Sequence, residues 1–179
     1  AGASPVVYSA DTLGVIRGRG GESGVMADMS KLTGAPVGID ALEFSPNGAH
    51  WLAAGNNGDV FVFERAGRKL LARLETGADM VTSAAFSPDG STVAALDNLG
   101  RLHLWRATGS FEPVASVLLR ARFGHVSTDR AFALGALQRL AWLPDGHRIA
   151  IATQSGLALL LSVSMDDWVA RAAGLEAPP

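Results

Sequence analysis

The chain has 179 residues, of which 48% are hydrophobic and 18% are charged. This composition supplies enough apolar surface for a substantial core, so it excludes intrinsic disorder as a description of the whole chain. Lysine and arginine number 15 against 17 acidic residues, which leaves no basic excess for neutralising a nucleic-acid backbone. The absence of cysteine excludes disulfides, thiolate zinc sites and a cysteine nucleophile.

The first residues and the apolar runs bear on location. Residues 1–5 lack the basic region and apolar stretch of a signal peptide, and the most apolar run, residues 157–163, is short. A membrane-spanning helix needs about 18 apolar residues or more. We therefore expect a soluble, cytoplasmic protein that does not contact a membrane.

A unit consisting of a strand, a glycine-containing turn and a second strand occurs four times along the chain. The copies occupy residues 6–17, 51–63, 92–105 and 148–160. Their aligned turn glycines are 44, 42 and 56 residues apart: Gly14, Gly58, Gly100 and Gly156. This is the spacing of one β-propeller blade, with an insertion in the last interval.

A second recurring element precedes the last three copies. It is an apolar strand that ends in an aromatic residue and runs into a Pro-Asn-Gly or Pro-Asp-Gly turn, at residues 44–48, 86–90 and 142–146. Proline presets φ, Asn or Asp bonds to nearby backbone, and glycine accepts a positive φ, so each motif predicts a tight hairpin. Candidate fourth strands follow at residues 69–74 and 114–119, with another around 25–29.

These elements predict an all-β chain, a partial β-propeller over residues 1–163, with about three full blades and one partial blade. The repeat units are about 1–30, 36–75, 78–119 and 136–163, and residues 121–135 form an insertion loop. Residues 164–179 are predicted to be a short helix and tail, because Ser164 suits an N-cap, acidic residues follow, and Gly174 ends the pattern.

The repeat count predicts an incomplete ring. The chain opens on the second strand of one blade and closes after the third strand of another, whereas propellers have about four to eight complete blades. We therefore expect another polypeptide segment or chain to close the propeller.

The Ser-Pro-Asp-Gly turn and the later segment 102–106, Leu-His-Leu-Trp-Arg, resemble the WD40 repeat family over about residues 36–163. Arg106 follows Trp105 where the family has aspartate, and the Gly-His dipeptide of the family has one candidate, Gly124-His125, displaced by the insertion. The resemblance therefore implies a WD40-like propeller, a non-catalytic scaffold, in which the family's His-based hydrogen-bonded tetrad is absent or incomplete.

Residues 165–175 carry a second resemblance. They look like the segment that follows the last repeat in bacterial signal-transduction NTPases of the STAND type. In those proteins the propeller is a sensor or scaffold joined to an NTPase domain. This resemblance implies a role in bacterial signalling or defence.

The WD40 resemblance also implies where a partner protein docks. Partners of such propellers bind the face formed by loops between second and third strands and by loops entering each first strand. The corresponding candidates in this chain are Asp11, Thr12, Asn56, Asn57, Asp79, Asp97, Asn98, Gln154 and Ser155, with Phe123, His125 and Arg130 in the insertion. The insertion aromatics Phe123 and Phe132 have an alternative role, which is to anchor the insertion onto the blade.

The sequence predicts no catalytic, metal or cofactor site. The four histidines, His50, His103, His125 and His147, show no metal-ligand spacing. His125, Ser127 and Asp129 are the residue types of a hydrolytic triad, but no nucleophile-elbow sequence accompanies them. Two alternatives to a non-catalytic scaffold stay open: a lactonase-like or quinoprotein-like propeller enzyme, and a structural chain that completes a propeller with another subunit.

Overall fold

The computed structural model describes residues 7–20, 23–119, 137–154, 156 and 158–163 of the chain. Within these residues it has fourteen strands and one short helix, α1 (Met29–Thr33). The strands, in chain order, are β1 (Val7–Ala10), β2 (Val15–Arg19), β3 (Gly24–Asp28), β4 (Ile39–Phe44), β5 (His50–Gly55), β6 (Asp59–Glu64), β7 (Leu70–Glu75), β8 (Val81–Phe86), β9 (Thr92–Asp97), β10 (Arg101–Arg106), β11 (Glu112–Leu118), β12 (Leu137–Trp142), β13 (Arg148–Thr153) and β14 (Ala158–Ser162).

The described strands form four antiparallel sheets in which neighbours in sequence are neighbours in space. Sheet 1 is β1-β2-β3, sheet 2 is β4-β5-β6-β7, sheet 3 is β8-β9-β10-β11 and sheet 4 is β12-β13-β14. This arrangement confirms the predicted all-β, propeller-type fold. The turn glycine of each sheet lies between the second and third strands of a blade. By this alignment, in the described part of the chain, sheet 1 begins with a second strand and sheet 4 ends with a third strand.

Apolar clusters join each sheet to the next. Sheets 1 and 2 meet around Ile16, Trp51 and Phe63, where the two aromatic rings stack with centroids 4.1 Å apart. Sheets 2 and 3 share one cluster, and sheets 3 and 4 share another. Strands such as β6 are apolar on both faces because a sheet between two others has no solvent-facing side.

The predicted proline turns are confirmed as tight turns between the first and second strands of sheets 2, 3 and 4. Their glycines, Gly48, Gly90 and Gly146, have φ of 66°, 72° and 72°, which favours glycine. In the second of these turns Asp89 accepts hydrogen bonds from the Ser87 hydroxyl at 2.5 Å and the Ser91 amide at 3.0 Å. The Ser87 hydrogen bond is the main reason that the pKa of Asp89 lies below its usual value.

Helix α1 was not predicted from the sequence, which indicated a strand around residues 25–29. Strand β3 ends at Asp28, and Met29 then turns inward, fully buried, with its N–H donating to the Gly14 carbonyl at 3.0 Å. The helix ends at Gly34, which has the left-handed conformation of a helix C-terminus. Among the described residues, no helix is long and apolar enough to span a membrane.

Candidate partner-binding face

The turns between second and third strands lie at the same end of the sheets as the connections that lead into the next sheet. Backbone hydrogen bonds join the two kinds of loop: Asn56 N–H donates to the Gly38 carbonyl, and Asn98 N–H to the Met80 carbonyl. We call this end the turn face. In the described chain it comprises residues 11–14, 34–38, 56–58, 76–80, 98–100, 154 and 156.

The first turn of this face is braced by one carboxylate. Asp11 Oδ1 accepts the N–H groups of Leu13 at 3.0 Å and Val15 at 2.9 Å. Its other oxygen, Oδ2, accepts from Arg17 Nη1 at 2.7 Å. The Arg17 hydrogen bond, followed by that from Val15, holds the pKa of Asp11 below its usual value. Asp11 therefore fixes the turn conformation and is already partnered by a cation.

The third turn repeats this arrangement inside the protein. Asp97 Oδ1 accepts the N–H groups of Leu99 at 2.9 Å and Arg101 at 2.8 Å, and Oδ2 lies 2.9 Å from His103 Nε2. Asp97 is 1% exposed and His103 is 5% exposed, with its ring stacked on Trp105. The repeat pattern predicts that Asp97 is a partner-binding residue. The structure corrects this interpretation, because the Asp97 side chain is buried and engaged within its own sheet.

A sequence signal for this pair exists in the repeat alignment. In the first and third copies, an aspartate directly precedes the turn, and a basic or titratable side chain follows six residues later: Arg17 after Asp11, and His103 after Asp97. The second copy has Gly55 at the aspartate position, and a different carboxylate stabilises that turn. Asp59, which is buried, pairs with Arg73 Nη2 at 2.7 Å and accepts from Asn57 Nδ2 at 3.0 Å.

The other predicted site residues fall into two groups. Exposed on the turn face are Thr12, Asn56, Asp79, Asn98 and Gln154, while Asn57 is half-buried. Asn56 also ties two loops together, because its Oδ1 accepts the Gly38 N–H at 2.8 Å. The remaining candidates lie outside the described residues: Phe123, His125, Arg130 and Ser155. The same holds for Phe132 and for the predicted helix over residues 164–179.

The turn face also carries exposed apolar residues that were not predicted from the sequence. Leu13 is 57% exposed and Leu99 is 52% exposed, and the two occupy the same position, directly before the turn glycine, in sheets 1 and 3. Leu32 of α1 is 44% exposed. The alignment of the copies could have revealed Leu13 and Leu99, because a leucine in a polar turn has no core to enter.

A cleft of about 440 Å³ lies at the opposite end of sheet 2, between the turns that contain Ala49 and Arg68. The guanidinium of Arg65 lies 5.3 Å from the Phe44 ring centroid and donates to the Tyr8 hydroxyl. Arg68 donates to the Val25 carbonyl at 2.7 Å. Both arginines therefore fasten sheet 2 to sheet 1.

Among the described residues, Glu43 is the titratable group whose pKa departs furthest from its usual value. It is half-buried on β4, and its carboxylate accepts a hydrogen bond from the Phe86 backbone amide in the next sheet. Desolvation by burial raises the pKa of Glu43 from 4.5 to about 7, and the Phe86 hydrogen bond opposes this rise. Between pH 4.5 and about pH 7, Glu43 therefore holds a proton in the folded chain that it has released in the unfolded chain.

This proton makes the free energy of unfolding pH-dependent. Since the folded state binds the extra proton, the contribution of Glu43 to stability is fully present below pH 4.5 and is lost as the pH rises through about 7. We expect Glu43→Gln to remove about 1–2 kcal/mol of this fall, a figure reduced for the partial solvent exposure of the carboxylate. Urea unfolding from pH 4.5 to 8 measures it, with the exposed Glu75→Gln as control. Parallel curves for wild type and Glu43→Gln would contradict the assignment.

Part of the chain is similar to a known protein family. Residues 68–106 match the family model described as WD domain, G-beta repeat, and no curated protein matches the chain. Within the described residues, no group of three or more His, Cys, Asp or Glu side chains is arranged to hold a metal ion. The stretch from β7 to β10 is thus similar to a WD40 repeat, which supports the WD40 family for this chain of four blade-type sheets.

Proposed function

We propose that this chain is a non-catalytic protein-interaction module, a scaffold or sensor that binds a partner protein on its turn face. WD40 repeats generally mediate protein–protein interactions, and the matched repeat contributes one turn of this face. The observation that carries the proposal is the pair of exposed leucines, Leu13 and Leu99, on turns that Asp11 and Asp97 hold in place.

A fixed turn lowers the cost of binding. Each leucine follows a polar residue, Thr12 or Asn98, and the amides of both leucines are bonded to the carboxylate that starts the turn. Little backbone entropy is therefore lost when a partner covers the leucine side chains. Apolar anchors with polar neighbours also match the usual division of an interface into an apolar centre and a polar rim.

The proposal is tested by capturing a partner with variants of the turn face. We expect the double variant Leu13→Asp/Leu99→Asp to bind at least about tenfold more weakly than wild type, because burying a carboxylate in an apolar contact is costly. The control is Leu71→Asp on β7, a leucine 41% exposed and distant in sequence from the turn residues. Equal capture by all three proteins would contradict the proposed face, and turnover of a substrate by the wild type would contradict a non-catalytic role.

We also propose a finer context, a cytoplasmic sensor attached to a bacterial signalling or defence NTPase. Its support is the resemblance of residues 165–175 to the segment after the last repeat in STAND-type proteins. The parent open reading frame tests this context directly. A reading frame without an NTPase domain would contradict it.

Within the proposed function, the propeller is completed by another polypeptide segment or chain. In the described residues, β14 lacks the fourth-strand neighbour that β6 and β10 have in β7 and β11. Exposed strand edges readily pair with added strands. A purely structural chain that completes a propeller with another subunit is the second candidate function, and the three-stranded form of sheet 4 among the described residues is the observation that favours it.

A further inference from the structure

Each sheet has two faces with different chemistry. We call the face toward the next sheet in sequence the forward face, and the face toward the previous sheet the rear face. The forward face of sheet 2 is aliphatic, and it packs in one cluster with aromatic and aliphatic residues on the rear face of sheet 3, including Phe86, Val93 and Trp105. The forward face of sheet 3 packs in the same way on Ile149 and Ile151 of sheet 4.

The forward face of sheet 4 carries aliphatic residues at four positions of β13 and β14, together with Arg139 on β12 and Arg148 on β13. The register pairs Ala150 with Leu160, and Ala152 with Ala158, on this face. Counted from the turn glycine, Leu160 is equivalent to Val62 in sheet 2 and Leu104 in sheet 3. Val62 and Leu104 are 0% exposed, whereas Leu160 is 57% exposed. Leu160 thus occupies a position that the next sheet covers at both observed junctions.

The rear face of sheet 1 is different, and this decides what can cover sheet 4. On this face of sheet 1, Val7 pairs with Arg19, and Ser9 pairs with Arg17. The equivalent positions on the rear face of sheet 2 hold aromatic residues and an alanine: Trp51, Ala53, Phe61 and Phe63. Docking sheet 1 of a second copy on sheet 4 would bring these arginines toward Arg139 and Arg148, which lie on the forward face of sheet 4. Arg17 is paired with Asp11, and Arg148 with Asp145, so such docking would bury two ion pairs together with Arg19 and Arg139. The loss of hydration of these charged groups disfavours that pairing.

We propose that the forward face of sheet 4 is a blade junction, occupied by a further blade whose rear face carries large apolar side chains, as sheet 3 does. This inference rests on the proposed completion of the propeller by another segment or chain.

The absence of cysteine makes a direct test possible, because Leu160→Cys introduces a single thiol. A second copy of residues 66–119 is inserted between Val163 and Ser164, which supplies a fourth strand for sheet 4 and a complete sheet 3 beyond it. Val163 is equivalent to Arg65 in the alignment, so the insertion keeps the repeat in phase. We expect maleimide labelling of the introduced thiol to slow at least about 100-fold in the extended chain, as protection in a core requires local opening.

The matched control is Leu71→Cys, which should label equally fast in both chains. If the inserted copy does not fold onto sheet 4, the thiol of the Leu160→Cys variant stays as reactive as in the parent chain, and the proposal is overturned. Slow labelling of the thiol in the parent chain would also overturn the proposal. If removal of residues 164–179 then made labelling fast, the tail would be the occupant of this face. If the labelling rate depended on protein concentration, a second copy of the chain would be the occupant. Partner capture through Leu13 and Leu99 is measured separately, so failure of the turn-face function and failure of this inference give different results.

Discussion

Replacing Asp97 with alanine should lower the free energy of unfolding by about 3–5 kcal/mol, because a buried, charged hydrogen-bonding partner is removed from three groups. The groups left behind are the Leu99 and Arg101 amides and the His103 ring. Asp97 is 1% exposed and His103 is 5% exposed, so water cannot readily replace the lost carboxylate. Urea unfolding followed by tryptophan fluorescence measures the change.

Asp11 provides the matched control within the same protein. It makes the equivalent bonds to Leu13, Val15 and Arg17, but the carboxylate and the guanidinium are both partly exposed. Solvent can hydrate the groups that Asp11→Ala leaves behind, so its cost should be well below that of Asp97→Ala. If both variants lowered the free energy of unfolding equally, burial would not determine how strongly the aspartate stabilises its turn. Asp97→Asn adds a test of charge, since it preserves the shape while removing the negative charge next to His103.

The fold could be predicted because its signals are local. Proline, Asn or Asp and glycine at fixed positions dictate a hairpin turn whatever surrounds it, as Gly48, Gly90 and Gly146 show by their positive φ. The spacing of such turns then indicates blades. Helix α1 was missed because its five residues carry too little periodicity, and its position depends on Met29 entering the core beneath Gly14.

The candidate site was predicted less completely, because exposure is not a local property. Thr12, Asn98 and Gln154 lie on the turn face as the turn alignment implies. Asp97 occupies the same turn position as Asp11, yet it is buried, since β9 lies inside a sheet flanked by two others. A residue alignment cannot distinguish the partly open sheet 1 from the enclosed sheet 3. Leu160 likewise has the sequence environment of a core residue but the exposure of a surface residue.

The largest loss of stability is expected for Gly58→Ala, in the glycine turn of sheet 2. Gly58 has φ of 75°, and a Cβ atom added there would overlap the Ala78 carbonyl oxygen and lie 2.8 Å from the carbonyl carbon. The surrounding backbone cannot move away cheaply, because the Thr76 N–H and hydroxyl both donate to the Gly58 carbonyl. We expect a loss of more than about 4 kcal/mol, or failure to fold cooperatively, since backbone strain and a steric clash act together.

Gly77→Ala separates the two causes. Gly77 also has φ of 75°, but a Cβ atom added there meets nothing within 4 Å. Its cost should be about 1–2 kcal/mol, the strain of a left-handed alanine alone. The difference between the two variants in urea unfolding therefore measures the close approach of the sheet 2 turn to the β7–β8 connection. If Gly58→Ala cost no more than Gly77→Ala, the glycine would serve only the turn, and the aligned glycines would carry no information about how the loops of the turn face pack together.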